Sequence, residues 1–239
     1  MPMAENIEFL GKIFRPDIRR IGDLESVVSD KKWFRASKKD MPAYFMYRGL
    51  INKSGLRYDI TIMPFTPFGQ ELPKTLGHYH SFATPGKYRF PEVYEVLDGN
   101  AFFLLQKLSG GKIKRILIVK AKKNDKVIVP PGYGHITINA GPGELKLANW
   151  MAVKSSSVYG LIVRKGGGAY FALKLGRKTR WVKNKNYGVL PKPEYKNSSA
   201  LTAPFLGKKK LVDLSKDISK LEFLKSPAKF AGLWEELGK

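Results

Sequence analysis

The sequence predicts an all-β fold, a barrel or sandwich of many short strands, with short helical additions at both ends. Three observations carry this. Residues 58–63 alternate polar and apolar side chains and stop at Pro64, the period-two pattern of a half-buried strand. Apolar segments of this kind recur at short spacing through the middle of the chain, separated by Gly, Pro and Asn. Apolar residues at helical spacing occur only towards the two ends.

The elements follow in order. Residues 23–33 read as a short helix, with Leu24, Val27 and Val28 on one side. After the 58–63 strand comes a loop from Phe65 to Pro73. Another strand opens at Glu92 with Val93, Tyr94, Val96 and Leu97, and ends at Asp98-Gly99, a hairpin signal. Further strands are expected at 101–107, 113–120, 126–129, 136–139, 145–153 and 169–175. Pro191, Pro193, Ser198, Ser199 and Pro204 mark a break near 187–204. Beyond it stand Lys208-Lys209-Lys210 and a helix candidate at 214–224. A last helix is expected to start at Ser226-Pro227, an N-cap followed by proline at the first helical position, with Phe230, Leu233, Trp234 and Leu237 on one face. The domain organisation expected is an N-terminal strand and helix extension over 1–57, a barrel over 58–190 and a basic helical extension over 191–239. The last is expected to pack on the barrel or across a subunit interface.

With 239 residues and 43% hydrophobic content, the chain can bury one large core. Cysteine is absent, so neither a disulfide framework nor a thiolate ligand is available. Met1-Pro2-Met3-Ala4 opens no basic-then-apolar leader, and no apolar run approaches membrane-spanning length. A soluble, cytoplasmic protein with no membrane partner is therefore expected. The 43 Lys and Arg against 20 Asp and Glu give a formal net charge of +23. Lys112, Lys114, Lys120, Lys122 and Lys126 are mixed with apolar residues, as are Lys174, Arg177, Lys178, Arg180 and Lys183. This is the pattern of the solvated face of amphipathic strands. No aromatic-interleaved basic sheet or recognition helix is evident, so specific nucleic-acid binding is not expected, although polyanions should be attracted at low salt.

All three histidines fall within two short motifs, Gly77-His78-Tyr79-His80 and Pro130-Pro131-Gly132-Tyr133-Gly134-His135. Residues two apart on a strand share a face, so His78 and His80 can aim their imidazoles at one interior point. With Glu92 and His135 they offer three nitrogens and a carboxylate. That donor set suits Fe, Mn, Ni, Co or Zn and leaves positions open for water or substrate.

His-x-His, then Glu92 with Gly99 seven residues on, then Pro-x-Gly-x-x-His-x-x-x-Asn ending at Asn139, resembles the two-motif signature of the cupin superfamily. The resemblance implies a cupin double-stranded β-helix, a jelly-roll barrel. Thr75-Leu76-Gly77-His78-Tyr79-His80, Pro91-Glu92-Val93-Tyr94 and Val129 to His135 resemble, more narrowly, the archaeal cupin-type glucose-6-phosphate isomerases. The likeness takes in Ile18-Arg19-Arg20, Thr61-Ile62-Met63-Pro64, Val158-Tyr159-Gly160 and the 181–187 segment, roughly residues 15 to 190. Two departures stand out. The stretch from His80 to Glu92 is longer than usual, forming a basic lip, and Asn124 replaces a glycine six residues before the second-motif proline. Asn tolerates left-handed backbone, so the turn should survive.

The resemblance implies an aldose–ketose isomerase of glycolysis and gluconeogenesis, interconverting glucose 6-phosphate and fructose 6-phosphate as a homodimer. It implies one divalent metal per chain, Fe2+ first, with Mn2+, Ni2+, Co2+ or Zn2+ as alternatives, held by His78, His80, Glu92 and His135. Thr61, Thr75 and the Gly77 backbone would hold the phosphate, with Tyr159 beside it and Tyr94 near the sugar. Hydroxyls and a close-approaching glycine N–H suit phosphate oxygens. Chemistry at the site moves a proton or a hydride between C1 and C2, with Glu92 or Tyr94 as the proton-handling group. Two other classes remain open: another metallo-cupin, such as an iron dioxygenase or a mannose-6-phosphate isomerase, and a non-catalytic sugar- or polyanion-binding cupin.

Overall fold

Two mainly antiparallel sheets close around one apolar core in the computed structural model, which describes residues 5–83, 86, 88–176 and 178–238. Met1-Pro2-Met3-Ala4, part of the expected basic lip (Thr84, Pro85 and Lys87), and Arg177 of the second basic group lie outside the described residues. Among the described residues, sixteen strands follow in order. They are β1 (Ile7–Phe9), β2 (Lys12–Phe14), β3 (Asp17–Arg20), β4 (Pro42–Lys53), β5 (Leu56–Met63), β6 (Tyr79–His80), β7 (Glu92–Asp98) and β8 (Asn100–Ser109). Then come β9 (Lys112–Lys122), β10 (Lys126–Val129), β11 (Tyr133–Asn139), β12 (Leu145–Ala152), β13 (Ser157–Val158), β14 (Tyr170–Leu175), β15 (Lys178–Lys183) and β16 (Glu194–Asn197). One large sheet runs β10-β7-β12-β5-β4-β3 and the other β11-β8-β9-β16, and β1-β2, β6-β13 and β14-β15 form two-stranded ribbons. This is the jelly-roll barrel that the cupin resemblance implies, with strands starting close to the positions read from periodicity.

Strand alternation explains how one sheet carries both a polar site and an apolar core. On β7, Glu92 and Tyr94 point to the barrel interior while Val93 and Glu95 point outward. The outward face is not solvated, because the C-terminal tail covers it. Trp150 on β12 donates its indole N–H to Leu211 O at 2.7 Å, and the buried Glu95 carboxylate accepts the Leu211 amide at 2.6 Å. Leu211, Leu214, Leu221, Phe223 and Leu224 are buried in the same core. Each such side chain contributes about 1.5–3 kcal/mol by leaving water. Burial on both faces also accounts for the unbroken run of buried residues from Glu92 to Val96.

Several local expectations are corrected. The 23–33 helix is broken: a short 3-10 turn at Gly22–Leu24 is followed by α1 (Lys31–Ala36). Asp30 caps α1 by accepting from the Trp33 amide at 2.8 Å, and Ser29 donates its amide and hydroxyl to Glu71 at 2.8 and 2.9 Å. Those bonds stop a helix running through. Asp98-Gly99 makes no hairpin, because β7 and β8 belong to different sheets and the chain crosses between them there. Asn124 does take left-handed backbone, with φ 72°. The 187–204 break contains β16, which pairs in parallel with β9 and is pinned by Arg115 to Glu194 at 2.6 and 2.7 Å. Lys126 is buried rather than solvated, with Nζ on Gly207 O at 3.3 Å.

The 214–224 helix is instead two 3-10 segments, Leu211–Lys216 and Ile218–Leu224, divided at Asp217. Leu211 with Leu214 and Leu221 with Leu224 repeat every three residues, which suits three residues per turn. The last helix enters through a 3-10 turn at Pro227–Phe230, and α3 proper spans Ala231–Glu236. Among the described residues, no helix is long and apolar enough to cross a membrane.

Candidate metal centre

Four side chains converge inside the barrel. Candidate ligand atoms of His78, His80, Glu92 and His135 all lie within 4.8 Å of one another. Their positions come from three local devices. β6 supplies His80, and an isolated bridge ties His78 to His135, with amide-to-carbonyl bonds of 3.2 and 2.9 Å in the two directions. Gly77, at φ 78°, turns the chain into that bridge; a Cβ there would lie 2.3 Å from Ile136 Cγ1, so only glycine fits. β7 and β11 bring Glu92 and His135 in from opposite sheets.

The residues fit a cation. Glu92 Oε2 is buried and lacks a well-formed hydrogen bond, yet lies 3.2 Å from His80 Nε2 and 3.4 Å from His135 Nε2. His78 Nε2 and His80 Nε2 are 3.1 Å apart. His80 Nδ1 faces the Phe90 carbonyl at 2.8 Å, a bond that puts the proton on Nδ1 and leaves the Nε2 lone pair towards the cluster. Burial, then the neighbouring imidazoles, push the His78 pKa well down, and burial lowers that of His135. Both favour the neutral ring that binds a metal. Burial opposes the charge on Glu92, but the imidazoles of His135 and His80 beside it outweigh burial and hold the carboxyl well below the usual carboxylate range.

Thr61, Thr75, Gly77 and Tyr159 line the same cavity as His78, Glu92, Tyr94 and His135. The two edges of the pocket named from the sequence are therefore brought together. Thr75 Oγ1 accepts the Thr137 amide at 3.0 Å, which leaves its hydroxyl proton free to donate. Tyr94 Oη lies 3.2 Å from His135 Nε2. Burial, with the Glu92 charge added, pushes the Tyr94 pKa well up, so its proton is held. Asn139, the last residue of the second motif, serves the turn instead: its amide donates to Met63 O and Gly143 O, both at 2.9 Å.

A polar row escaped the sequence reading. Arg48, Arg57, Asp59 and Asn149 also line the cavity. Arg57 Nε sits 3.0 Å from Asp59 Oδ2, and Asp59 Oδ1 accepts the Gly49 amide at 2.7 Å. Burial raises the Asp59 pKa, with Arg57 partly offsetting it. Positions 57, 59 and 61 share one face of β5, but alternation alone does not say that this face is inside.

A sequence model of the glucose-6-phosphate isomerase family matches residues 18–190. The chain belongs to the glucose-6-phosphate isomerase family. The enzyme class read from the sequence stands with that membership. Curated glucose-6-phosphate isomerases agree: the protein of Pyrococcus abyssi is 29% identical over 153 residues, covering 62% of this chain and 76% of that one. That of Thermococcus litoralis is 27% identical over 156 residues, covering 64% and 77%. Among solved structures, oxalate oxidase with glycolate aligns at TM-score 0.37 and 15% identity over 49% of this chain and 55% of that one. A cupin superfamily protein of Desulfitobacterium hafniense aligns at TM-score 0.30 and 11% identity over 46% and 78%. The matched isomerase region contains every cluster and pocket residue named above.

Proposed function

We propose that this chain is a metal-dependent isomerase interconverting glucose 6-phosphate and fructose 6-phosphate, with one divalent cation held by His78, His80, Glu92 and His135. The observation that carries the reading is the convergence of those four donors beside a cavity that Thr61, Thr75, Gly77 and Tyr159 also line. When bound, the metal supplies the positive charge that polarises the sugar carbonyl. The protein does the rest. The threonine hydroxyls and the Gly77 N–H orient the phosphate, while Arg48 and Arg57 add positive field at the same cavity. Glu92 is committed as an ionised ligand, so Tyr94 Oη is the group placed to hold or return a hydroxyl proton.

The iron preference, the homodimer, the cytoplasmic setting and the place in glycolysis and gluconeogenesis belong to the same proposal and rest on the family resemblance. The test is anaerobic incubation with fructose 6-phosphate, assaying glucose 6-phosphate and mannose 6-phosphate. Formation of glucose 6-phosphate without oxygen is expected. Turnover that requires oxygen would instead favour the dioxygenase reading, and a mannose 6-phosphate product would reassign the substrate.

A further inference from the structure

Strand alternation turns Tyr79 away from the cluster that His78 and His80 build. Its ring lies against Gly134, one residue before His135, so closely that a Cβ at 134 would sit 2.5 Å from it. Tyr79 Oη donates to Gln106 O at 3.2 Å and accepts from Gln106 Nε2 at 3.0 Å. The same amide donates to Tyr187 Oη at 3.1 Å, and Gln106 itself is 1% exposed. The two tyrosines thus form a fixed floor. Above it opens a second cavity of about 840 Å³, separate from the metal pocket.

Lys112, Lys114, Arg164 and Lys165 line this cavity, no carboxylate does among the described residues, and the remaining wall is mostly aliphatic. Lys165 Nζ donates to Asn186 O at 3.1 Å, whereas the side chains of Lys112, Lys114 and Arg164 have no hydrogen bond or ion pair among the described residues. Four cations exceed what one phosphate needs, and an aromatic and aliphatic wall is not what a bare anion needs. A ligand with several phosphates and a planar apolar part meets both conditions. We propose that this cavity binds a nucleoside triphosphate.

The position couples it to the metal pocket. Tyr79 is wedged between three candidate ligand positions, and α2 (Gly160–Val163) starts directly after Tyr159, which lines the metal pocket, and ends at Arg164 in this one. Occupancy would bias both walls of the metal pocket. The proposal goes beyond the isomerase reading and does not depend on it.

Equilibrium binding of ATP to the full chain at physiological ionic strength, with fructose 6-phosphate and inorganic phosphate as competitors, tests it. One ATP per chain is expected, undisplaced by either competitor. Lys114→Glu with Arg164→Glu should weaken it by about tenfold or more, and so should the milder Lys114→Gln with Arg164→Gln. Thr75→Val should leave it unchanged. Both altered residues are exposed, and unchanged melting temperatures confirm folding. Four results would overturn the proposal: no saturable binding, undiminished binding in both pairs, displacement by fructose 6-phosphate, or a dimer dispersed by the charge reversal with no ATP bound.

Discussion

Thr75 and Tyr94 line one cavity with the candidate ligands, and their proposed roles predict different effects. In the proposed role, Thr75 contributes a hydroxyl that the substrate phosphate meets in the ground state and the transition state alike. Thr75→Val should therefore raise KM for fructose 6-phosphate by about tenfold with a smaller effect on kcat, while Thr75→Ser stays near the original value. An unchanged KM in Thr75→Val would reduce Thr75 to its bond with Thr137. Tyr94 is the proposed proton-handling group, so Tyr94→Phe should lower kcat by about a hundredfold with little change in KM. Steady-state kinetics of the two variants side by side separate the roles. The metal cluster was legible in the sequence because histidine is scarce here and its spacing is diagnostic. Arg48, Arg57, Asp59 and Asn149 were not, because arginine and aspartate on a basic, strand-rich chain read as solvated until the closure of the barrel decides which face is inside.

Strands inside the barrel announced themselves by alternation, whereas β16 did not. It lies in a proline-flanked stretch and owes its existence to pairing with β9, a contact between residues far apart in sequence. The Arg115–Glu194 pair fastens it. The hydrogen bond from Arg115 holds the Glu194 carboxyl below its ordinary pKa. A depressed carboxyl stabilises the fold above its unfolded pKa, and that contribution fades as pH falls through the folded one. Glu194→Gln should thus lower Tm by about 1–2 °C near pH 7, a modest effect because the pair is partly exposed. The difference should shrink as pH falls from about 5 towards 3. Thermal melts of both proteins across that range check it, and a gap that widens in acid would contradict the pairing. The helices expected at 23–33 and 214–224 were overridden by local and tertiary contacts. Ser29 and Asp30 bond elsewhere, and the leucine spacing of three in the tail favours 3-10 turns over α-helix.

Across the molecule, the tail and the metal centre lie on opposite faces of the six-stranded sheet. Among the described residues the tail buries eight large apolar side chains, and it satisfies Glu95 and Trp150. Truncation after Tyr195 should lower Tm by about 10 °C or more, while metal binding persists in the protein that stays folded. Calorimetry with metal analysis would show it, and an unchanged Tm with lost turnover would make the tail a lid instead. The net charge of +23 surrounds a pocket proposed for an anionic sugar, so its field favours the substrate as well as nonspecific polyanions. The most direct test of the whole account is an anaerobic titration of metal-stripped protein with a divalent cation, following conversion of fructose 6-phosphate to glucose 6-phosphate. Turnover should be absent at the start and rise to a plateau at one equivalent per chain, and the His80→Ala, His135→Ala protein should stay inactive throughout. Full turnover by the stripped protein, or a filled site that isomerises nothing, would contradict it.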